Sequence, residues 1–131
     1  MHKRSRQGFT LMEMLIVVAI IAVLVAIAIP TFSSSLHKAR EATDLANARA
    51  YFAELQADYM MSGEYQTRFD PDPWLNWTDT ITFSDGATVK LKTGILTVRR
   101  PTDDETSTGS KLGYQVTYVC QKCGETRIFG S

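Results

Sequence analysis

The 131-residue sequence has little of several features that would indicate a particular chemistry. It contains two cysteines and two histidines, so its thiolates alone cannot supply the four ligands of a closed zinc ribbon. It has no internal repeats and no low-complexity tracts. Its formal net charge is zero, which argues against general nucleic-acid binding through a positive field. The length allows one small domain beyond a hydrophobic amino-terminal segment.

Charge is also absent from a long stretch near the amino terminus, Met14 to Ile29. With Phe9 to Met12 added, an apolar helix of this length would cross roughly 30 Å of bilayer core. The one charge inside the helix is Glu13, and an isolated carboxylate in hydrocarbon costs about 3 kcal/mol. We therefore expect the chain to use this carboxylate.

The residues around Glu13 resemble the processing site of the type IV prepilins. Gly8 is followed by Phe9-Thr10-Leu11-Met12-Glu13 and the apolar run, and it is preceded by a basic head containing Lys3, Arg4 and Arg6. The resemblance implies that prepilin peptidase cuts between Gly8 and Phe9 and that the new amino group of Phe9 is methylated. It also implies that Glu13 acts in filament assembly and that Pro30 kinks or locally melts the helix.

The basic head predicts the orientation of the chain in the membrane. Lys3, Arg4 and Arg6 would hold the amino terminus inside the cytoplasm, so the chain would be a single-pass protein with its remainder outside. Removal of the head takes three of the 14 basic side chains and none of the 14 acidic ones, which leaves a net charge of about −3. Two other interpretations remain open: a secretory signal cut after Ala26-Ile27-Ala28, and a plain membrane anchor.

The rest of the chain predicts an α+β fold in which a long amino-terminal helix packs against a small antiparallel sheet. The predicted segments are a leader at 1–8, a transmembrane and polymerisation helix at 9–30, an amphipathic continuation at 31–61 that stops near Gly63, and a loop plus sheet at 62–131. Apolar residues at helical spacing predict the face that meets the sheet, namely Leu45, Ala48, Phe52, Leu55 and Tyr59. Charged helix positions, among them Glu41 and Asp44, are predicted to face solvent.

The head is predicted to be one antiparallel sheet of four or five strands, of which the first three form a meander. Its strands are Thr80 to Phe83, Ala87 to Lys92, Ile95 to Arg100, Tyr114 to Cys120 and Arg127 to Phe129, with a polar loop from Pro101 to Ser110. In the loop before the sheet, Trp74 and Trp77 either pack over the helix or a sheet edge, or form an exposed binding patch.

Cys120 and Cys123 flank an expected hairpin turn and form the one chemically suggestive motif of the head. Three states are open: a local disulfide, free thiols, or a metal shared between subunits. A metal site closed within one subunit is not expected, because His37 lies just past the membrane segment. No cofactor is indicated.

Asp103, Asp104 and Glu105 offer hard oxygen ligands in one loop. Some pseudopilins bind calcium in their carboxy-terminal loops, so a calcium site is the alternative to a solvated loop here.

The resemblance implies a structural subunit rather than an enzyme, a pilin that assembles into a type IV pilus-like filament. Its expected partners are other pilin subunits, prepilin peptidase and the membrane machinery that assembles pili or secretion filaments. It would lie in the cytoplasmic membrane and then in an extracellular or periplasmic filament. The alternatives are a pseudopilin of a type II secretion or competence DNA-uptake system, and a membrane-anchored or secreted binding module without a filament.

Overall fold

The structure is a computed structural model that describes residues 8–69, 71–72, 74–109 and 113–130. The helices are α1, Leu11–Ser62, and α2, Asp103–Thr108. The strands are β1, Thr80–Thr82; β2, Thr88–Lys90; β3, Gly94–Arg99; β4, Gln115–Cys120; and β5, Thr126–Phe129. A long amino-terminal helix with small antiparallel sheets confirms the predicted α+β, pilin-like fold.

Helix α1 extends over 52 residues because its sequence is rich in good helix formers and contains no glycine. Pro30 lies inside it, and the helix continues through the proline, as the sequence predicts. Gly63 follows the last helical residue with a φ of 74°, the left-handed conformation that often closes helices. Its N–H donates to the Tyr59 carbonyl at 2.8 Å, so the predicted stop at Gly63 is confirmed.

The chain divides into two compact units between Leu36 and His37. The first unit contains the amino-terminal part of α1, and the second contains the rest of α1, both sheets and α2. In the described part of the first unit, residues 8–36, every residue is exposed. The second unit has a hydrophobic core.

This core brings one face of α1 together with the strands. The buried apolar side chains of α1 are Ala48, Tyr51 and Leu55. The strands contribute buried residues that include Ile81, Leu96, Val98, Val116 and Tyr118. Of the predicted apolar face, Ala48 and Leu55 are fully buried, whereas Leu45, Phe52 and Tyr59 are partly buried at its margin.

The described strands form two antiparallel sheets, so the prediction of one sheet, with its first three strands as a meander, is wrong. β1 pairs with β2 across the Ser84-Asp85-Gly86 turn, and β3, β4 and β5 form the second sheet in that order. An isolated bridge between Thr78 and Leu96 connects the two. The break follows β2, where the N–H groups of Lys92 and Thr93 donate to the Asp44 carboxylate instead of to a neighbouring strand.

The predicted polar loop after β3 contains the short helix α2, so this part of the loop prediction is also wrong. Thr102 caps α2, because its Oγ1 accepts from the Glu105 N–H and its own N–H donates to the Glu105 carboxylate. Arg99 donates both to Glu105, at 2.6 Å, and to the Pro71 carbonyl, at 2.8 Å. Arg100 donates to the Phe69 carbonyl. These contacts fix α2 and the loop after α1 to the end of β3.

The two tryptophans of the loop before β1 have different environments. Trp77 is half-buried, whereas Trp74 is 76% exposed, with their ring centroids 6.3 Å apart. Asp70, between them and α1, lies outside the described residues.

Candidate functional site

The start of α1 is a capping box that involves the predicted assembly residue. The Thr10 N–H donates to Glu13 Oε2 at 3.1 Å, and the Glu13 N–H donates to Thr10 Oγ1 at 3.2 Å. This reciprocal pair satisfies two of the backbone donors that a helix leaves unpaired at its first turn. The carboxylate also lies at the positive end of the helix dipole. Glu13 therefore has a structural role within its own chain.

The two residues that flank the predicted cleavage point precede the helix. Gly8 and Phe9 are non-helical and exposed, and 81% of Phe9 is accessible. No described atom lies within 4 Å of the position that a Cβ would take at Gly8. The junction therefore offers an accessible, non-helical peptide bond. Lys3, Arg4 and Arg6 lie outside the described residues.

Beyond the cap, α1 presents an apolar surface on all sides. The large apolar side chains from Met14 to Ile29 are between 44% and 65% exposed. An 18-residue window of α1 has a mean hydropathy of 3.0, and none of it is buried within the structure. By length and composition, this part of α1 is a candidate membrane span.

Pro30 stands at the end of this apolar stretch. Proline has no N–H, so one backbone hydrogen bond of the helix is missing here. The carbonyl that loses its donor is that of Ala26, four residues earlier. The neighbouring Ile27 carbonyl accepts a bond from Thr31 Oγ1 at 3.2 Å. A kink at Pro30 stays a prediction.

Comparison with known protein families gives one match. The model of the family described as the prokaryotic N-terminal methylation motif matches residues 3–29. The chain carries the type IV pilin class III signal. Curated proteins and solved structures gave no match when searched with this chain.

The methylation motif and the exposed apolar helix together support a type IV pilin- or pseudopilin-type precursor with a transmembrane helix. The signal indicates a structural protein. The matched motif ends at residue 29, before the second unit begins at His37.

The cysteine motif of the second unit lies at the end of β4. Cys120 and Cys123 form a disulfide across a tight turn, with their Cα atoms 5.5 Å apart. The turn is closed by the Gly124 N–H, which donates to the Cys120 carbonyl, and by the Cys120 N–H, which donates to the Glu125 carbonyl. Cys120 is fully buried, whereas Cys123 is exposed.

The expectation that His37 lies too far away to join these sulfurs is wrong. The Nε2 atom of His37 lies 3.7 Å from Cys120 Sγ. Glu41, one helical turn further along α1, completes a cluster in which one ligand atom from each of the four residues lies within 4.8 Å of the others. A side-chain hydrogen bond with Glu125, together with partial burial, raises the pKa of Glu41 above its usual value. His37 was missed because 83 residues separate it from Cys120.

The acidic loop has a simpler role. Glu105 Oε2 accepts hydrogen bonds from Arg99 and from the Thr102 N–H, which lowers the pKa of Glu105 to about 2. Asp103 Oδ1 lies 3.9 Å from Arg100 Nη1, and Asp104 is exposed. The Glu105 carboxylate thus caps α2 and pairs with an arginine.

The sequence predicts Asp44 on the solvated face of α1, and this prediction is wrong. Asp44 is 1% exposed, and its carboxylate accepts from the Lys92 N–H, the Thr93 N–H and Thr93 Oγ1 at 2.7–3.0 Å. The Tyr118 hydroxyl lies 3.3 Å from the same carboxylate. Asp44 therefore joins α1 to the connection between β2 and β3.

Proposed function

We propose that this chain is the structural subunit of a type IV pilus-like filament. It is inserted in the cytoplasmic membrane with its amino terminus inside, cleaved after Gly8 by prepilin peptidase and methylated on Phe9. It then polymerises by packing of its amino-terminal helix, and Glu13 sets the register between neighbouring subunits.

The observation that carries this proposal is the apolar part of α1, in which every residue is exposed. A helix that is apolar on all sides requires an apolar environment, because roughly 25 cal/mol is gained for each Å² removed from water. Lipid supplies this environment to the single subunit. Neighbouring helices supply it in a filament, so assembly exchanges lipid for protein without exposing the helix to water.

Glu13 gives the assembly its specificity. An uncompensated carboxylate in this apolar environment is costly, and the amino group of Phe9 that cleavage creates is the complementary charge. When the ammonium of one subunit meets Glu13 of its neighbour, both charges are compensated. Any other stagger leaves them unpaired, which favours one axial step.

The exposed side of α1 in the second unit is also suited to close packing. Small residues recur there and are all exposed, namely Ala39, Thr43, Ala46, Ala50, Ala53 and Ala57. Short side chains let a second helix approach closely. They support lateral contacts between subunits above the membrane.

Mass spectrometry of the mature chain from its native host tests the processing steps. We expect an amino terminus at Phe9 that carries a methyl group, in chains recovered from sheared surface filaments. A terminus at Ile29, after Ala26-Ile27-Ala28, would contradict the proposal in favour of a secretory signal. A chain that begins at a methylated Phe9 but is never found in filaments would support the processing steps and contradict the proposed polymerisation.

A further inference from the structure

His37, Glu41, Cys120 and Cys123 form a cluster of four side chains of the types that bind zinc. One ligand atom from each lies within 4.8 Å of the other three. Tetrahedral zinc with bonds of about 2.0–2.3 Å places its ligand atoms about 3.3–3.8 Å apart. The 3.7 Å between His37 Nε2 and Cys120 Sγ already falls within that range. Modest rotation of the remaining side chains would close the tetrahedron.

The local backbone suits each pair of ligands. His37 and Glu41 are four residues apart on α1, so their side chains lie on the same side of the helix. Cys120 and Cys123 belong to a C-x-x-C-G turn, the spacing with which zinc sites take two thiolates from one loop. Cys120 is buried and His37 and Glu41 are half-buried, which limits the access of water.

We propose that these four residues bind one Zn²⁺ ion when the disulfide between Cys120 and Cys123 is reduced. The disulfide and the metal exclude each other, because both use the same two sulfur atoms. The site lies within the second unit, so it is independent of the proposed filament function.

The site passes from the disulfide to the metal-bound state in two steps, reduction and zinc binding. A dithiol reductant gives two electrons and two protons to the disulfide, which becomes two thiols, while the dithiol becomes a disulfide. Zn²⁺ then binds both sulfurs as thiolates and releases their two protons. A neutral His37 imidazole and the Glu41 carboxylate complete the four ligands. The Zn²⁺ charge is then offset by the two thiolates and the carboxylate.

The two states would constrain the fold differently. The disulfide joins residues three positions apart, so it closes a very short loop and restricts the unfolded chain little. The metal would join Cys120 to His37, which are 83 positions apart. Because the loop-closure term grows with loop length, the metal-bound state should hold the last hairpin to α1 more firmly than the disulfide does.

The test uses the full chain in detergent micelles, under anaerobic conditions. A water-soluble phosphine reduces the disulfide and becomes the phosphine oxide, with its oxygen supplied by water. Zn²⁺ is titrated against a chromophoric chelator, and Co²⁺ is used as a spectroscopic probe. The reduced chain should bind one metal ion, with Co²⁺ bands typical of tetrahedral thiolate coordination and zinc–sulfur distances of about 2.3 Å by X-ray absorption. The oxidised chain should bind at least 100-fold more weakly.

Variants assign the ligands. His37→Ala and Glu41→Gln should each weaken Zn²⁺ binding by more than about tenfold, since even outer partners of metal ligands contribute that much. Glu64→Gln, an exposed glutamate after the end of α1, is the matched control and should leave the affinity unchanged. Tryptophan fluorescence reports whether each variant stays folded.

Three results would overturn the proposal. They are failure of the reduced wild-type chain to bind Zn²⁺, equal binding by the oxidised chain, and unchanged affinity in folded His37→Ala and Glu41→Gln. If a variant fails to fold, the wild-type Co²⁺ spectrum and the zinc–sulfur distances still test whether the reduced chain binds the metal through its thiolates.

Discussion

The two parts of α1 place leucines of the same helix in opposite environments. In the first unit Leu24 is 61% exposed, whereas in the second unit Leu55 is 1% exposed. Both segments are helical, but most helical stability in proteins comes from tertiary packing. The second segment packs against its own core, and the first must receive its packing from lipid or from other subunits. The second segment therefore stabilises the folded unit, and the first is the segment that we propose for assembly.

The two carboxylates of α1 differ in a similar way. Asp44 accepts from the backbone of Lys92 and Thr93, almost 50 residues away, and this fixes it in the core. Glu13 has its backbone partner three residues away, at Thr10, on the exposed start of the helix. Asp44 therefore serves the fold, whereas Glu13 can meet another subunit.

The largest expected effect comes from the leucine pair. Leu55→Ala removes a fully buried side chain and should lower the free energy of unfolding of the second unit by about 2–5 kcal/mol. Leu24→Ala should change it by less than about 0.5 kcal/mol. Denaturant unfolding of the full chain in detergent, followed by tryptophan fluorescence, measures both. Equal effects would show that the first segment contributes to the same folding unit.

Asp44 comes next. Asp44→Ala leaves the buried N–H of Thr93 and the part-buried N–H of Lys92 without their acceptor. An unsatisfied buried donor costs about 1–3 kcal/mol, so we expect a total loss of about 3 kcal/mol. Asp44→Asn keeps one acceptor oxygen and should lose less. Asp104→Ala, at an exposed position of α2, is the control and should stay within about 0.5 kcal/mol of the wild type. The same denaturant unfolding measures all three variants. An unchanged free energy of unfolding in Asp44→Ala would contradict the role of the carboxylate in holding α1 to the connection between β2 and β3.

A smaller effect is expected from Glu105. Hydrogen bonds from the Thr102 backbone and from Arg99 lower its pKa from 4.5 to about 2, so between these values the unfolded chain binds more protons than the folded one. The contribution of Glu105 to stability is then complete above pH 4.5 and is lost as the pH falls towards about 2.

The variant Glu105→Gln tests this pH dependence, because glutamine can still cap the helix without a charge. Thermal unfolding at a series of pH values should show a weaker loss of stability below pH 4.5 than in the wild type. Asp104→Asn should follow the wild-type curve. Identical curves for wild type and Glu105→Gln would contradict the assignment.

The sequence alone predicted the structure correctly where a pattern extends over many consecutive residues. The apolar run, the uninterrupted helix from Leu11 to Ser62 and the stop at Gly63 all follow from composition over many residues. Two local patterns were available but missed. Thr102 to Glu105 and Thr10 to Glu13 both have the spacing of a capping box, which would have indicated α2 and the start of α1.

The rest depends on contacts between distant residues. No sequence pattern indicates that the N–H groups of Lys92 and Thr93 bind Asp44. Its charge alone therefore predicted a solvated position. His37 meets Cys120 because the last hairpin returns to α1, and no spacing along the chain shows this. The break between the two sheets has the same origin, since the backbone donors after β2 bind Asp44.

The central claim is that the charge of Glu13, beyond its capping role, drives filament assembly. Three variants separate the two roles. Glu13→Gln keeps a capping side chain but loses the charge, Glu13→Leu loses both, and Thr10→Ala weakens the cap by about 1 kcal/mol while it keeps the charge. All three should still be cleaved at Phe9, which mass spectrometry of the membrane fraction checks.

The most direct measurement is the number of surface filaments per cell, counted by electron microscopy for each variant expressed alone. We predict few or no filaments from Glu13→Gln and Glu13→Leu, and nearly normal numbers from Thr10→Ala. Glu13→Leu should enter filaments when co-expressed with the wild type, because its ammonium can still pair with a wild-type Glu13. Normal filament numbers from Glu13→Leu expressed alone would contradict the account.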